Sequence, residues 1–210
     1  MRIRKVSLLL IIVVAMFSLS AVLVNAQDGL TIGFAQTGSE SGWRTSFTNA
    51  MMAEAEAQGI TLLFSDGQQK QENQIAALRS FIAQGVDAII LAPLVETGWD
   101  DVLQEAKDAE IPVLIIDRNV TADPSLYITR VASDFVHEGR LAGAWLATAT
   151  SARETCDIVE LQGTVGSSAA LDRMTGVNEG IALFPGMKIV ATQSGDFTRS
   201  GGKTVMESFL

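Results

Sequence analysis

The sequence predicts an α/β protein made of doubly wound parallel sheets, arranged as two domains of which the second is incomplete. Two observations predict this class. Short, nearly continuous apolar runs, typical of strands buried on both faces of a parallel sheet, alternate with longer segments of helical period. The same alternation restarts after Pro124. Strands that alternate with helices in this way form right-handed crossover units.

Four strands and three helices are predicted before Pro124. The strand-like runs are 30–36, 60–66, 88–93 and 112–117. The apolar stripes of the helices are Phe47, Ala50, Met51 and Ala55; Ile75, Leu78 and Ile82; and Trp99, Val102, Leu103 and Ala106. Gly59 and Gly85 are expected to end the first two helices, because glycine readily adopts the left-handed conformation found there.

Three more strands are predicted after Pro124, over 127–132, 157–162 and 188–194. Asp134 is expected to cap a helix that follows the first of them. The expected buried face of that helix consists of Leu141, Ala142, Trp145 and Leu146.

A helix over 168–183 and another from near Thr198 complete the second part. We therefore expect one α/β domain over 27–132 and part of a second over 133–210. The last residues continue an apolar helical pattern without a Gly, Asn or Pro stop, so the chain is expected to be a fragment.

The first 26 residues differ from the rest in composition. Arg2, Arg4 and Lys5 precede a long apolar run, and Ala26 ends a small-residue cleavage site. This pattern indicates a secretory signal peptide over 1–26. An uncleaved membrane anchor is the alternative, since the run is about long enough to cross a bilayer. Either way, we expect a periplasmic or other extracytoplasmic location.

Charge and composition argue against several classes of function. The chain carries 24 acidic against 15 basic residues, so nucleic acid is not an expected partner. The single histidine, His137, is expected on a helix surface. The chain therefore lacks the histidine base of a catalytic triad and the several histidines of a His-rich metal site. No cofactor or metal is expected. Paired-carboxylate glycosidase chemistry between Glu40 and Asp117 stays open, although nothing selects it.

The single cysteine, Cys156, cannot form an internal disulfide. In an exported chain it indicates a free thiol or a missing partner. A small apolar residue at the start of a strand is an equally good interpretation.

Polar and aromatic residues follow the predicted strands, at the sheet edge where open parallel sheets bind ligands. Glu40, Trp43 and Arg44 follow the first strand, and Asp117 and Arg118 follow the fourth. Carboxylates and guanidinium groups bind vicinal hydroxyls, and a flat ring covers an apolar C–H face. The combination predicts a sugar site. The alternatives are that Trp43 anchors the core and that Asp117 and Arg118 form a surface ion pair.

The glycine-rich turn over 163–168 invites comparison with a phosphate-binding loop, because it leads from a strand into a helix. It lacks the Gly-Lys-Ser/Thr ending, and two glycines in such a turn are ordinary. Arg173, about one turn into the helix, is the more informative residue, with a solvated surface position as its alternative.

Five blocks, in order and with family-like spacing, resemble the periplasmic sugar-binding proteins of ABC importers. They are TIGFAQTGSESGWR, FSDGQQKQENQIAALRSFIAQGVDAIILAPLVETGW, AKDAEIPVLIIDR, ELQGTVGSSAALDR and SGDFTRSGGKTVMESF. The resemblance runs from about Leu30 to Leu210. It implies a type I periplasmic-binding-protein fold, in which two α/β domains joined by a three-segment hinge close over one sugar.

The resemblance also implies a role for each candidate residue. Asp117 and Arg118 would grip hydroxyls, and Glu40, Trp43 and Arg44 would supply the polar and aromatic contacts after the first strand. Arg173 would correspond to the ligand-binding arginine that follows the glycine-rich turn. The implied ligand is a monosaccharide, galactofuranose or a similar aldose. The implied partners are ABC permease subunits in the membrane, with the protein a monomer and not an enzyme.

The resemblance leaves some questions open. Presentation of the ligand to a chemoreceptor or sensor kinase is the alternative function. Relatives supply further polar contacts from segments beyond Leu210, so these 210 residues alone are expected to bind sugar weakly or not at all. A second cysteine in that region of some relatives would account for Cys156.

Overall fold

Seven strands form two parallel sheets in the computed structural model, which describes residues 29–210. The predicted signal peptide lies outside the described residues. The first sheet has the order β2-β1-β3-β4-β5, and the second pairs β6 with β7. The strands are β1 (Thr31–Gln36), β2 (Thr61–Asp66), β3 (Ala88–Leu91), β4 (Val113–Ile116), β5 (Thr129–Val131), β6 (Cys156–Gln162) and β7 (Met187–Ser194).

A helix follows every strand except β4, after which a short 3₁₀ turn at Pro124–Leu126 leads into β5. The helices are α1 (Gly42–Ala57), α2 (Gln71–Gln84), α3 (Asp100–Asp108), α4 (Phe135–Ala149), α5 (Ser168–Ile181) and α6 (Arg199–Phe209). Every predicted strand and helix is present. The 3₁₀ turn was not predicted, and β3 and β4 end at Leu91 and Ile116, one or two residues before their apolar runs end.

Side-chain caps mark the start of four of the six helices, α1, α4, α5 and α6. Ser41, Asp134, Ser167 and Thr198 each accept a hydrogen bond from a backbone N–H of the first helical turn that follows. The predicted cap at Asp134 is therefore confirmed. Gly85 ends α2 in the left-handed conformation, with φ 65°, as its position predicted.

The main core lies between the first sheet and helices α2 and α3. Leu78, Ile89, Leu103 and Ile115 are completely buried there. Trp99 is buried as well and donates its indole N–H to the Val95 carbonyl at 2.7 Å. The predicted apolar faces of α2 and α3 are thereby confirmed. In α1, Ala55 is buried and Phe47 and Met51 are half-buried, as predicted, but Ala50 is exposed and that part of the prediction was wrong.

The predicted buried face of α4 is also wrong. Ala142 is exposed, Leu141 is 57% exposed and Trp145 is 70% exposed. The buried residues of α4 are Phe135, Gly139, Gly143 and Ala147. Small residues face inward because α4 packs directly on α5, where the two backbones approach too closely for larger side chains.

No helix within residues 29–210 combines the length and the apolar character needed to cross a bilayer.

Candidate functional site

A cavity of about 420 Å³ lies at the carboxyl ends of β1 and β4. All six residues predicted for the sugar site line it: Glu40, Trp43, Arg44, Asp117, Arg118 and Arg173. Its other lining residues are Ser41, Ser133, Phe135, Glu138, Ala169 and Phe197. Residues from the segments that flank both sheets therefore share one cavity. Asp66, the last residue of β2, accepts a hydrogen bond from the Ser39 hydroxyl at 2.6 Å and does not line the cavity.

Arg44 links two acids inside the cavity wall. It lies in the first turn of α1 and is only 2% exposed. Its Nη1 lies 2.9 Å from Asp117 Oδ2, and its Nε lies 3.4 Å from Glu40 Oε1. The guanidinium carbon also lies 4.8 Å from the centre of the Trp43 ring, within range of a cation–π interaction. One buried cation thus holds the first-strand and fourth-strand residues together.

Asp117 has an unusual backbone conformation. Its φ is 64°, a value rare outside glycine. The Arg118 N–H donates to the Ile116 carbonyl at 2.7 Å, which closes a three-residue turn around Asp117, and the Asp117 N–H donates to the Val131 carbonyl of β5. Strained backbone of this kind is concentrated at binding sites. The turn sets the carboxylate against Arg44, so the surface ion-pair alternative for Asp117 and Arg118 is wrong.

Arg118 is a second buried cation. It is 2% exposed and donates from Nη1 to the Leu94 carbonyl at 2.7 Å. Its guanidinium carbon lies 5.3 Å from the Phe197 ring centre. Burial, followed by the nearby Arg44 cation, lowers the pKa of Arg118 to about 10, while Asp117 and other acids oppose the shift. Arg118 therefore stays charged at neutral pH.

Four buried polar atoms in this cluster have no hydrogen-bond partner within residues 29–210. They are Glu40 Oε2, Arg44 Nη1, Asp117 Oδ2 and Arg118 Nε. Arg44 Nη1 and Asp117 Oδ2 are close enough for an ion pair, but the N–H does not point at the oxygen well enough for a hydrogen bond. Each buried group without a partner costs about 1–3 kcal/mol. Two donors and two acceptors in the residues that line the cavity therefore lack a hydrogen-bond partner in the described chain.

Arg173 occupies the opposite side of the cavity. Its Nε and Nη2 lie 2.9 Å and 2.8 Å from Glu138 Oε2, and its guanidinium carbon lies 4.4 Å from the Phe135 ring centre. The side chain is about two-fifths exposed, so Arg173 is neither buried nor freely solvated.

The aromatic residues that line the cavity differ in their exposure and packing. Trp43 is 60% exposed on the cavity, so the core-anchor alternative is wrong. Sequence reasoning missed Phe197, whose ring packs against Gly163 so closely that a Cβ there would overlap it. Phe197 follows the polar end of β7 as Trp43 follows β1, and this shared position could have predicted that Phe197 lines the cavity. Phe135 and Glu138 were also missed, although both lie in the first turn of a capped helix.

His137 is exposed, as predicted. Within the described part of the chain, no group of three or more His, Cys, Asp or Glu side chains is arranged to hold a metal ion. Cys156 is free and half-buried at the start of β6.

Comparison with known proteins places this geometry in a family. Residues 32–210 match the model of the periplasmic binding protein domain. The chain is 59% identical over 182 residues to the galactofuranose-binding protein YtfQ of Escherichia coli (strain K12), covering 86% of this chain and 57% of that protein. The chain therefore spans a little over half the length of this curated relative.

Two solved structures share the fold. A crystal structure of a galactofuranose binding protein matches with a TM-score of 0.84 and 60% identity, covering 86% of this chain and 61% of the other. The binding protein of the arabinose ABC transporter from Shewanella sp. ANA-3, bound to α- and β-L-arabinofuranose, matches with a TM-score of 0.82 and 63% identity, covering 85% and 59%. The predicted type I periplasmic-binding-protein fold is confirmed, and the chain belongs to the periplasmic binding protein domain family.

Proposed function

We propose that this chain is the sugar-capturing part of an extracytoplasmic solute-binding protein that serves ABC-type import. The observation that carries the proposal is the set of four buried polar atoms without partners on one wall of the cavity. A sugar hydroxyl both donates and accepts a hydrogen bond, so vicinal hydroxyls suit a wall in which two donors and two acceptors lack hydrogen-bond partners.

The charges around the cavity favour a neutral ligand. The cations of Arg44, Arg118 and Arg173 face the carboxylates of Glu40, Asp117 and Glu138. Each charge already has a counter-charge within the wall, whereas a sugar phosphate or a sugar acid would add an unpaired anion. The exposed Trp43 ring supplies the flat surface that a sugar ring covers.

The ligand in this proposal is galactofuranose or a similar aldose. Glu40, Trp43, Arg44, Asp117 and Arg118 would bind it from one domain, over residues 27–132, and Arg173 from a second, over 133–210. The closed protein, a monomer, would present the sugar to membrane permease subunits. Presentation to a sensor kinase would use the same cavity, but the similarity to a binding protein of an arabinose ABC transporter favours import.

The proposal also holds that the protein is not an enzyme. Glu40 and Asp117 both contact the Arg44 guanidinium, an arrangement suited to holding a ligand. A glycosidase needs one carboxyl free to deliver a proton to the leaving group. Incubation with a chromogenic furanoside tests this part, and release of the chromophore that Asp117→Asn abolishes would contradict it.

Sugar binding is tested by calorimetry with galactofuranose and L-arabinose, on the 210-residue chain and on a chimera that joins residues 29–210 to the remaining portion of the Escherichia coli relative. Micromolar affinity requires about 8 kcal/mol. We expect weak or no heat from the chain alone and micromolar binding by the chimera. Trp43→Ala in the chimera should abolish binding without loss of stability, because this side chain is mostly exposed. Unchanged affinity in that variant would contradict the assigned site.

A further inference from the structure

The two helices that carry Glu138 and Arg173 touch through their backbones. Gly139 of α4 faces Gly176 of α5, and a Cβ built on Gly139 would overlap the Arg173 carbonyl oxygen and lie 2.9 Å from the Gly176 Cα. A Cβ on Gly176 would in turn overlap the Val136 carbonyl oxygen. Backbone atoms cannot move aside as a flexible side-chain tip can. An alanine at either glycine therefore forces the helices apart.

This crossing lies directly beside the cavity. Glu138 immediately precedes Gly139, and its carboxylate receives both Nε and Nη2 of Arg173. The Arg173 guanidinium also rests on Phe135, one helical turn before Gly139. All three side chains line the cavity, whose opposite wall holds the buried polar atoms without partners. A change in helix separation would act first on the Arg173 guanidinium.

We propose that Gly139 and Gly176 are positioning residues for the sugar site. They hold α4 and α5 at the separation at which Glu138 fixes the Arg173 guanidinium on the cavity wall. The inference rests on the proposed function, because Arg173 is the sugar-contacting group through which the glycines act. A glycine pair that only stabilised the helix packing would change stability without a specific effect at Arg173.

The test uses the side-chain Nε–Hε resonances of the arginines in ¹⁵N NMR spectra of the chain, with the Arg173 signal assigned from its loss in Arg173→Lys. In Gly139→Ala we expect this signal to shift and its Hε to exchange faster with water. The matched control is Gly202→Ala, a helix glycine whose added Cβ meets nothing within 4 Å. An Arg173 signal that stays unchanged in folded Gly139→Ala would overturn the inference.

A second variant keeps the test decisive should Gly139→Ala not fold. Gly143→Ala acts on the same crossing with a milder contact, 2.8 Å from the Val177 carbonyl oxygen. A smaller shift of the Arg173 signal in the same direction supports the inference, and no shift overturns it.

A separate measurement of sugar affinity distinguishes this inference from the function on which it rests. In the chimera, Gly139→Ala should weaken sugar binding about tenfold or more, the loss expected when a charge-assisted hydrogen bond is misplaced. In an Arg173→Lys background it should weaken binding no further, whereas additive losses would overturn the inference. A parent chimera that binds no sugar, with the Arg173 signal still responding to Gly139→Ala, would contradict the proposed function and leave the effect of the glycines on Arg173 in place.

Discussion

The Arg44 guanidinium lies 2.9 Å from the Asp117 carboxylate, and both side chains are almost completely buried. Arg44 follows β1 and Asp117 follows β4, so this ion pair joins two strand ends that β3 separates in the sheet. Removal of one partner from a buried ion pair strongly destabilises the folded protein, because the other charge is left buried without compensation. The stability of the first sheet and the shape of the cavity therefore depend on the same contact.

Arg44→Met should lower the free energy of unfolding by about 3–5 kcal/mol, since it leaves the Glu40 and Asp117 carboxylates without their shared cation. Urea denaturation at pH 7 measures this change. The matched control is Arg79→Met, which removes a similarly short but exposed pair with Glu105 and should cost far less, because solvent screens exposed charges. Equal losses in the two variants would contradict the buried role of Arg44.

The left-handed backbone at Asp117 predicts that a glycine variant is more stable than an alanine variant there, the reverse of the usual order of stability in a helix. Both Asp117→Gly and Asp117→Ala remove the carboxylate, but the glycine variant should be more stable by about 1 kcal/mol, because only alanine is strained at this φ. At Gln104, in the middle of α3, alanine should instead be the more stable by about 1 kcal/mol. The same order at both positions would show that Asp117 is not strained.

Glu96 predicts a pH-dependent change in stability. Burial, and then the charge of Asp172, raise the pKa of this carboxyl above its ordinary value. The folded state therefore disfavours the ionised form, so Glu96→Gln should stabilise the protein at pH 7 by less than about 1 kcal/mol, since the group is only partly buried. The gain should shrink as the pH falls through the raised pKa and vanish below the ordinary pKa of a glutamate, where the wild-type carboxyl is protonated in both states. A gain that persists at pH 3 in urea denaturation would exclude this cause.

The close packing of Phe197 on Gly163 predicts coupling between the two residues. Gly163→Ala should destabilise the protein by about 1–3 kcal/mol, because its methyl group would occupy the space of the ring. In a Phe197→Ala background the same change should cost much less. A double-mutant cycle followed by thermal or urea denaturation measures the coupling, and additive losses would show that the ring does not rest on Gly163.

Much of this site could be predicted from the sequence, because the order of the strands along the chain is enough to bring its residues to one edge of the sheet. Polar residues after buried parallel strands meet at one sheet edge wherever the strands lie. Glu40, Trp43, Arg44, Asp117 and Arg118 could therefore be assigned to one cavity before their contacts were known. Arg173 could be added only through the resemblance to a family, since its place in a helix leaves the direction of its side chain open.

Other features depend on contacts that no local pattern encodes. In α4 the apolar stripe containing Leu141 and Trp145 predicted the wrong buried face, because hydrophobicity does not reveal that Gly139 and Gly143 meet another backbone. Phe197 was missed because it follows β7 in a left-handed turn that the sequence does not announce. Hydrogen bonds left unmade, on which the proposed function rests, are visible only in three dimensions.

The central claim is that the residues after β1 and β4, together with Arg173, form a single sugar site. The most direct test is a ¹⁵N NMR titration of the chimera with L-arabinose, following the Trp43 indole N–H and the Nε–Hε signals of Arg44, Arg118 and Arg173. We predict saturable shifts of all four signals with one dissociation constant, while the exposed Trp145 indole stays unchanged. Shifts confined to other residues, or different dissociation constants for the four signals, would contradict the account.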